Sequence, residues 1–336
     1  MQTNTLTLEE LAGKVGGDAG GALGVLLAYI GDQSGVYRAL EDKGPIDCEA
    51  LAQETDLDPR YLREFLSANA AHGYVTYHQD TESFSLSEAQ AAIFAHEGTP
   101  TCMQGFFQAI VSQYATHEAA LETFKSGNGR PWGQHDSCCF CGTDRFFRPG
   151  YEANLIDTWI PALEGVDEKL SRGAKVADIG CGHGSSTIMM AKQYPNSTFL
   201  GYDFHAPSIE EANQKVKDAG LTNVTFHESS ATEIPDQGYD FACIFDALHD
   251  MGDPVGAAKR IRQVLSEDGT FMLVEPMSED SLQDNLEKNP MSAAYYSFST
   301  LVCVPTSKSQ EVGLQLGAQA GQARLTEVLN EAGFSH

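Results

Sequence analysis

The stretch Val176-Ala177-Asp178-Ile179-Gly180-Cys181-Gly182-His183-Gly184 decides how the chain is read. Val176, Ala177 and Ile179 form a short apolar run with β character, and Asp178 sits near its end. Glycines follow at alternate positions. Ser185-Ser186-Thr187 then opens a run that predicts a helix, with hydroxyls placed to cap its free N–H groups. Strand, glycine turn and helix N-terminus together set bare backbone donors beside a ligand, because glycine lacks a Cβ and accepts positive φ. The dinucleotide fingerprint is spaced G-x-G-x-x-G and serves a pyrophosphate. Here the third glycine comes one residue early, and an acid lies two residues before the first.

Outward from this stretch the pattern is βαβ. The first strand is Lys175–Ile179, and its helix runs from Ser185 to about Tyr194. A second strand, Thr198–Asp203, ends in an acid 19 residues after Gly184. That is where an acid is expected to meet ribose hydroxyls, at ~20 residues. A helix opened by Ser208 and strands over Val224–His227, Asp240–Phe245 and Thr270–Glu275 complete an α/β, Rossmann-like, doubly wound sheet over residues 171–336. Asp246-Ala247-Leu248-His249-Asp250-Met251 follows the fourth strand at its carboxyl end, the edge where open α/β sheets bind ligands. Residues 277–310 read as an insertion, with Tyr295, Tyr296 and Phe298 near the substrate. Leu325–Ala332 is a last helix, and 333–336 the start of a sixth strand.

Before the sheet, residues 1–98 predict a mainly helical winged helix. Residues 1–18 read as poorly ordered, and a helical pattern from Ala19 to Leu40 breaks near Gly31–Gly35. Asp47 caps a short helix, and Asp58-Pro59 opens another to about His72. Tyr74–Tyr77 and Ser83–Leu86 form a hairpin. The first hundred residues hold 5 Lys and Arg against 16 Asp and Glu, so repulsion from phosphate argues against DNA binding. Residues 99–170 form a helical linker between the two domains, with a loop over Ser126–Gly142 and a segment Ala153–Leu163 interrupted by Pro161.

The 336 residues suffice for two domains, and the formal charge of −26 argues against nucleic acid as a partner. The longest apolar run near the N-terminus, Ala22–Ile30, is far short of the ~20 residues that cross a bilayer. The polar first ten residues lack the basic start of a secretory leader, so no membrane partner and a cytoplasmic location are expected. Eight scattered cysteines read as free thiols. Cys138-Cys139-Phe140-Cys141 is the one cluster, and with no second spaced pair, even with His135 near, no metal site is expected.

D-x-G-x-G-x-G at 178–184 resembles motif I of the class I S-adenosylmethionine-dependent methyltransferases, and the front part resembles the winged-helix dimerisation domain of small-molecule O-methyltransferases. The resemblance covers residues 20–336. It implies S-adenosylmethionine as cofactor, bound by Asp178, Gly180, Gly182, Gly184, Asp203, Phe204, Ser230, Ala231 and Asp246. That cofactor carries an ammonium and a sulfonium, which suits a carboxylate at a strand end. Many members carry an Asp where Ser230 stands. His249-Asp250 resembles the family's His-Asp pair, whose histidine is the general base, and Tyr151 joins them as a catalytic candidate; the resemblance also makes residues 99–170 a substrate lid, with Phe147 and Tyr151 as pocket candidates. The family's tryptophan after the Asp is Met251 here. The resemblance further implies a homodimer and a small-molecule acceptor methylated at O or S, with a sulfur compound such as a methylthio acid suggested by the aromatic and thiol-rich segments. The usual class I sheet ends with two further strands, so a truncated C-terminus is expected. A nicotinamide oxidoreductase and a cofactor-sensing winged-helix regulator are the alternatives; glycine spacing and charge weigh against them.

Overall fold

The structure is a computed structural model that describes residues 6–335. The chain divides into two compact units, Met1–Tyr114 with Cys141–Pro149, and Ala115–Phe140 with Gly150–His336.

In the first unit, helices Leu8–Gln33, Val36–Lys43, Cys48–Thr55 and Pro59–Ala71 precede an antiparallel hairpin of β1 (Thr76–His78) and β2 (Ser83–Ser85). Ile46 bridges Phe84 as the third element of the wing. Tyr37, Leu40, Leu51, Leu66 and Phe94 fill the core, and the Tyr37 hydroxyl donates to Asn69 Oδ1 at 2.6 Å. The first helix starts well before Ala19, contrary to the poor order expected there; residues 1–5 of that expectation lie outside the described residues. Thr7 and Glu10 close a reciprocal capping box, Glu9 and Glu10 face the positive helix end, and Lys14 pairs with Asp18 at 2.6 Å. These local terms outweigh the glycines. The break near Gly35 is as expected, with Gly35 at φ +74 between the first two helices. On the helix Pro59–Ala71, Arg60 is engaged by Glu64 at 2.5 Å.

The predicted loop at 126–142 is half helix. Asp136 caps a helix over Ser137–Asn154 by accepting from the Cys138 amide at 2.9 Å. Gly142 lies within it for packing: a Cβ there would sit 2.5 Å from the Ala109 nitrogen. Arg145, on the same helix, donates to both Asp32 oxygens at 2.5 and 2.9 Å and also pairs with Glu97. Within the segment Ala153–Leu163, Leu155–Trp159 forms a π-turn.

The second unit is built on five parallel strands, β3 (Lys175–Ile179), β4 (Thr198–Asp203), β5 (Val224–Glu228), β6 (Tyr239–Phe245) and β7 (Leu265–Val274), in the order β5-β4-β3-β6-β7. Val176 pairs with Phe199 on one side and Phe241 on the other. β3 and β6 are almost wholly buried, the near-continuous apolar run of a strand covered on both faces. The order reverses at β3, so a crevice opens at the carboxyl ends of β3 and β6. Residues 277–310 are mostly helical, at Leu282–Lys288, Ser292–Phe298 and Val304–Lys308, with a π-turn over Ser299–Cys303. No strand forms over 333–335, where Phe334 packs on Phe271; His336 lies outside the described residues.

Gly184 shows why the third glycine comes where it does. Its φ is +75, and a Cβ would fall 2.4 Å from the Phe226 ring on β5. Gly184→Ala is therefore expected to destabilise the fold by about 1–3 kcal/mol, read as a lower urea midpoint at unchanged slope.

Candidate functional site

The glycine turn and the two strand-end acids form one network. Gly180, Gly182 and Gly184 all have positive φ, at +72, +51 and +75. The Gly182 amide donates to Asp203 Oδ2 at 3.0 Å, and the His205 amide donates to Oδ1 at 2.8 Å. Asp203 thus holds the turn from β4. A Cβ on Gly182 would meet nothing within 4 Å, so backbone there faces open space that a ligand can approach. Phe204, next in the chain, is half exposed beside it. Burial pushes the Asp203 carboxyl above its usual range, against the two amides.

Asp178 is buried at the end of β3, and its Oδ2 accepts from the Ser186 and Thr187 hydroxyls at 2.8 and 2.7 Å. Those hydroxyls were expected to cap the helix Ser185–Gln193; they turn to the carboxylate instead, because an unpaired buried charge costs more than an uncapped helix end. Asp178 Oδ1 is buried with no hydrogen-bond partner. Burial pushes the carboxyl up to about 6. Ser230 stands in a turn after β5, its Oγ 3.0 Å from Thr232 Oγ1, with Ala231 half-buried beside it. The preceding Ser229 amide donates to the Asp203 carbonyl at 2.9 Å, which ties this turn to the end of β4.

On the β6 side, Asp246 takes φ +51, a left-handed conformation unusual for a residue other than glycine. Its amide donates to the Val274 carbonyl at 2.8 Å, and its Oδ2 accepts from the Tyr151 hydroxyl at 2.7 Å. Burial pushes its carboxyl up to about 7, against the Tyr151 bond. His249 lies in a short 3-10 turn after β6. Its Nδ1–H donates to Glu275 Oε2 in a very short bond, and its Nε2 lies 3.3 Å from Asp250 Oδ1. Glu275 Oε1 also accepts from the Leu248 amide at 2.8 Å. Burial would pull the imidazole down, but Asp250, Glu275 and the Cys303 thiol outweigh it and hold the ring well above its usual pKa. Burial and Asp250 push the Cys303 thiol up to about 12. Sequence reasoning missed Glu275 and Cys303. An acid at a strand's carboxyl end, Val274-Glu275-Pro276, was the available signal for the first.

Tyr151 with Asp246 forms one pair, His249 with Asp250 and Glu275 a second group, and Asp203 with Gly182 a third, all at the carboxyl edge of the sheet. Residues 170–333 match the family described as a methyltransferase domain, and residues 21–96 match the Rv2258c-like winged HTH domain. Residues 170–333 carry a methyltransferase domain. The chain is similar to the demethylmenaquinone methyltransferase of Listeria monocytogenes, 28% identical over 177 residues, which are 50% of this chain and 73% of that protein. It is also similar to an uncharacterised protein of Rickettsia prowazekii, 36% identical over 77 residues, 23% of this chain but only 14% of that one. Among solved structures, human N-acetylserotonin methyltransferase in complex with S-adenosylmethionine shares the fold at a TM-score of 0.71 and 16% identity, covering 100% of this chain and 94% of that one. Mitomycin 7-O-methyltransferase does so at 0.67 and 18%, covering 96% and 91%. The methyltransferase domain therefore follows a winged-helix domain in the chain, as the sequence reading expected. Among the described residues no helix is long and apolar enough to cross a membrane.

Proposed function

We propose that the chain moves the methyl group of S-adenosylmethionine to an oxygen or sulfur of a small molecule. The observation that carries the reading is the His249–Glu275 pair standing on the same sheet edge as the Asp203–Gly182 contact. Asp203 would accept from the ribose hydroxyls with the lone pairs its two amides leave, and Phe204 would flank the base, with Ser230 and Ala231 along its edge. Asp178 and Asp246 would face the ammonium and sulfonium end.

Methyl transfer is an in-line displacement with a neutral thioether leaving, so positioning supplies much of the rate. Glu275 fixes the proton on Nδ1 of His249, which leaves Nε2 to take the acceptor's proton when the ring is neutral. Tyr151 would orient Asp246. Cys139, Val302, Cys303 and Ala318 cluster with Tyr295 and Phe298, and we take this apolar cluster beside His249 as the acceptor wall. That lining supports a partly apolar acceptor, and a methylthio acid is one that fits. N-acetylserotonin and mitomycin, in the names of the structural relatives, are likewise small molecules.

Isothermal titration with S-adenosylmethionine and S-adenosylhomocysteine, with NADH as control, tests the cofactor. Binding of NADH alone would overturn the reading; binding of the sulfur nucleosides would justify an acceptor screen with labelled methyl. Affinity for S-adenosylmethionine is expected to fall as pH drops through about 7, where Asp246 takes up a proton. A cation favours the ionised carboxylate, so the loss approaches tenfold per pH unit below that point and is flattened in Asp246→Asn. We also propose a homodimer through the first unit. Leu8, Leu11 and Val15 are exposed on one helix, and Leu11→Glu with Val15→Glu should shift the mass seen by light scattering to a monomer.

A further inference from the structure

Arg130 and His135 make a buried cationic corner in a chain where 47 acids face 21 lysines and arginines. Arg130 is 4% exposed, yet among the described residues no carboxylate forms an ion pair with it. Its guanidinium donates to the Thr116 hydroxyl at 3.3 Å and to the Gln134 carbonyl at 2.7 Å, both uncharged. Asp136 acts on it from beyond ion-pair range, and that carboxylate accepts from the Cys138 amide at 2.9 Å. A buried charge with no counterion is costly, so folding alone favours a neutral side chain at this position.

His135 is a second, independent observation. It is 6% exposed, and its Nδ1 is buried with no hydrogen-bond partner. Its Nε2 lies 3.5 Å from Thr306 Oγ1. Burial and the Arg130 charge pull the ring down to about 4, so it is neutral at pH 7. With Nε2 accepting from the Thr306 hydroxyl, Nδ1 carries the proton and is a donor without an acceptor. Arg130 bonds the carbonyl of the residue before His135, so the two donors are neighbours. A guanidinium with an N–H beside it suits an oxyanion and repels a cation.

The corner adjoins the apolar cluster already taken as the acceptor wall. Trp132, between the two residues in the chain, packs in that cluster with Cys139 and Cys303. Cys303 interacts with His249, and Thr306 follows it by one helical turn, a rise of ~5 Å. Phe140 in turn packs on His205, ring centroids 4.6 Å apart, and the His205 amide holds Asp203.

We infer that Arg130 and His135 hold the anionic end of the methyl acceptor, a short carboxylic acid whose reacting oxygen or sulfur lies a few bonds away and reaches His249. The carboxylate supplies the counterion that Arg130 lacks and the acceptor that His135 Nδ1 lacks. The apolar cluster covers the carbon chain between the two ends.

This inference rests on the methyl-transfer reading, and the test separates the two. Butanoate and its γ-methylthio derivative, each beside its uncharged amide, are titrated calorimetrically into the full-length chain with and without S-adenosylhomocysteine. Each acid is expected to bind at least about tenfold more tightly than its amide. Arg130→Gln should weaken the acids by about 10–100-fold and leave the amides unchanged, erasing the preference. Arg130→Lys, which keeps the charge but not the planar fork, should retain part of it, and His135→Phe should fall between wild type and Arg130→Gln. S-adenosylhomocysteine affinity should stay constant across the series, which shows that each variant is folded. No acid preference in the wild type, or a preference that survives Arg130→Gln, overturns the acid site and leaves methyl transfer standing if the nucleoside binds. An acid preference in a wild type that does not bind the nucleoside overturns the methyl-transfer reading instead.

Discussion

Asp203→Ala is expected to weaken binding of S-adenosylmethionine and S-adenosylhomocysteine by roughly 10–100-fold, as charged hydrogen bonds of about 1.5–3 kcal/mol are lost. Two effects act together. The proposed bonds to the ribose hydroxyls are removed, and the Gly182 and His205 amides lose the acceptor that fixes the glycine turn. Asp203→Asn separates them: its single carbonyl oxygen still accepts one amide but lacks the charge, so its loss should fall between the wild type and the alanine variant. Titration calorimetry gives both affinities, and circular dichroism checks that the sheet survives. An Asp203→Ala protein that binds the nucleoside as well as the wild type would remove this acid from the cofactor site.

His249→Ala is expected to lower kcat by about 10²–10⁴-fold, the usual contribution of a positioned proton-transfer group. S-adenosylmethionine affinity should change little, because His249 is not among the residues proposed to hold the cofactor, which are Asp178, Asp203, Asp246 and the glycines of the turn after β3. Glu275→Gln should give a smaller loss of the same kind: the amide still reaches Nδ1 but no longer balances the imidazolium charge. Single-turnover kinetics with saturating cofactor measures the chemical step apart from product release. Equal rates in wild type and His249→Ala would mean that the histidine only braces its turn.

How much of this was legible follows from sequence distance. The turn at 180–184 was readable because its strand, glycines and helix are adjacent, and the structure gives all three glycines positive φ. Asp203 was readable because one helix and one strand separate it from Gly184, a length that β-α-β geometry holds nearly constant. Glu275 meets His249 across 26 residues through the pairing of β6 with β7. Cys303 arrives on a π-turn that no periodicity announces. The helix over Ser137–Asn154 was hidden by its own glycines and Pro149, which signal loop locally; Gly142 is there because another backbone lies against it. Residues 8–18 misled in the same way, since a capping box carries more weight than composition does.

Asp246 has a further consequence. A position at φ +51 is one that glycine would occupy at ease, and an aspartate held there carries strain of order 1–3 kcal/mol. Selection for thermostability alone would replace it, whereas selection for turnover would keep the carboxylate that Tyr151 orients. Residue 246 is thus where hardiness and activity pull the chain in opposite directions, and laboratory evolution toward heat tolerance should be watched for a catalyst that lasts longer and works less.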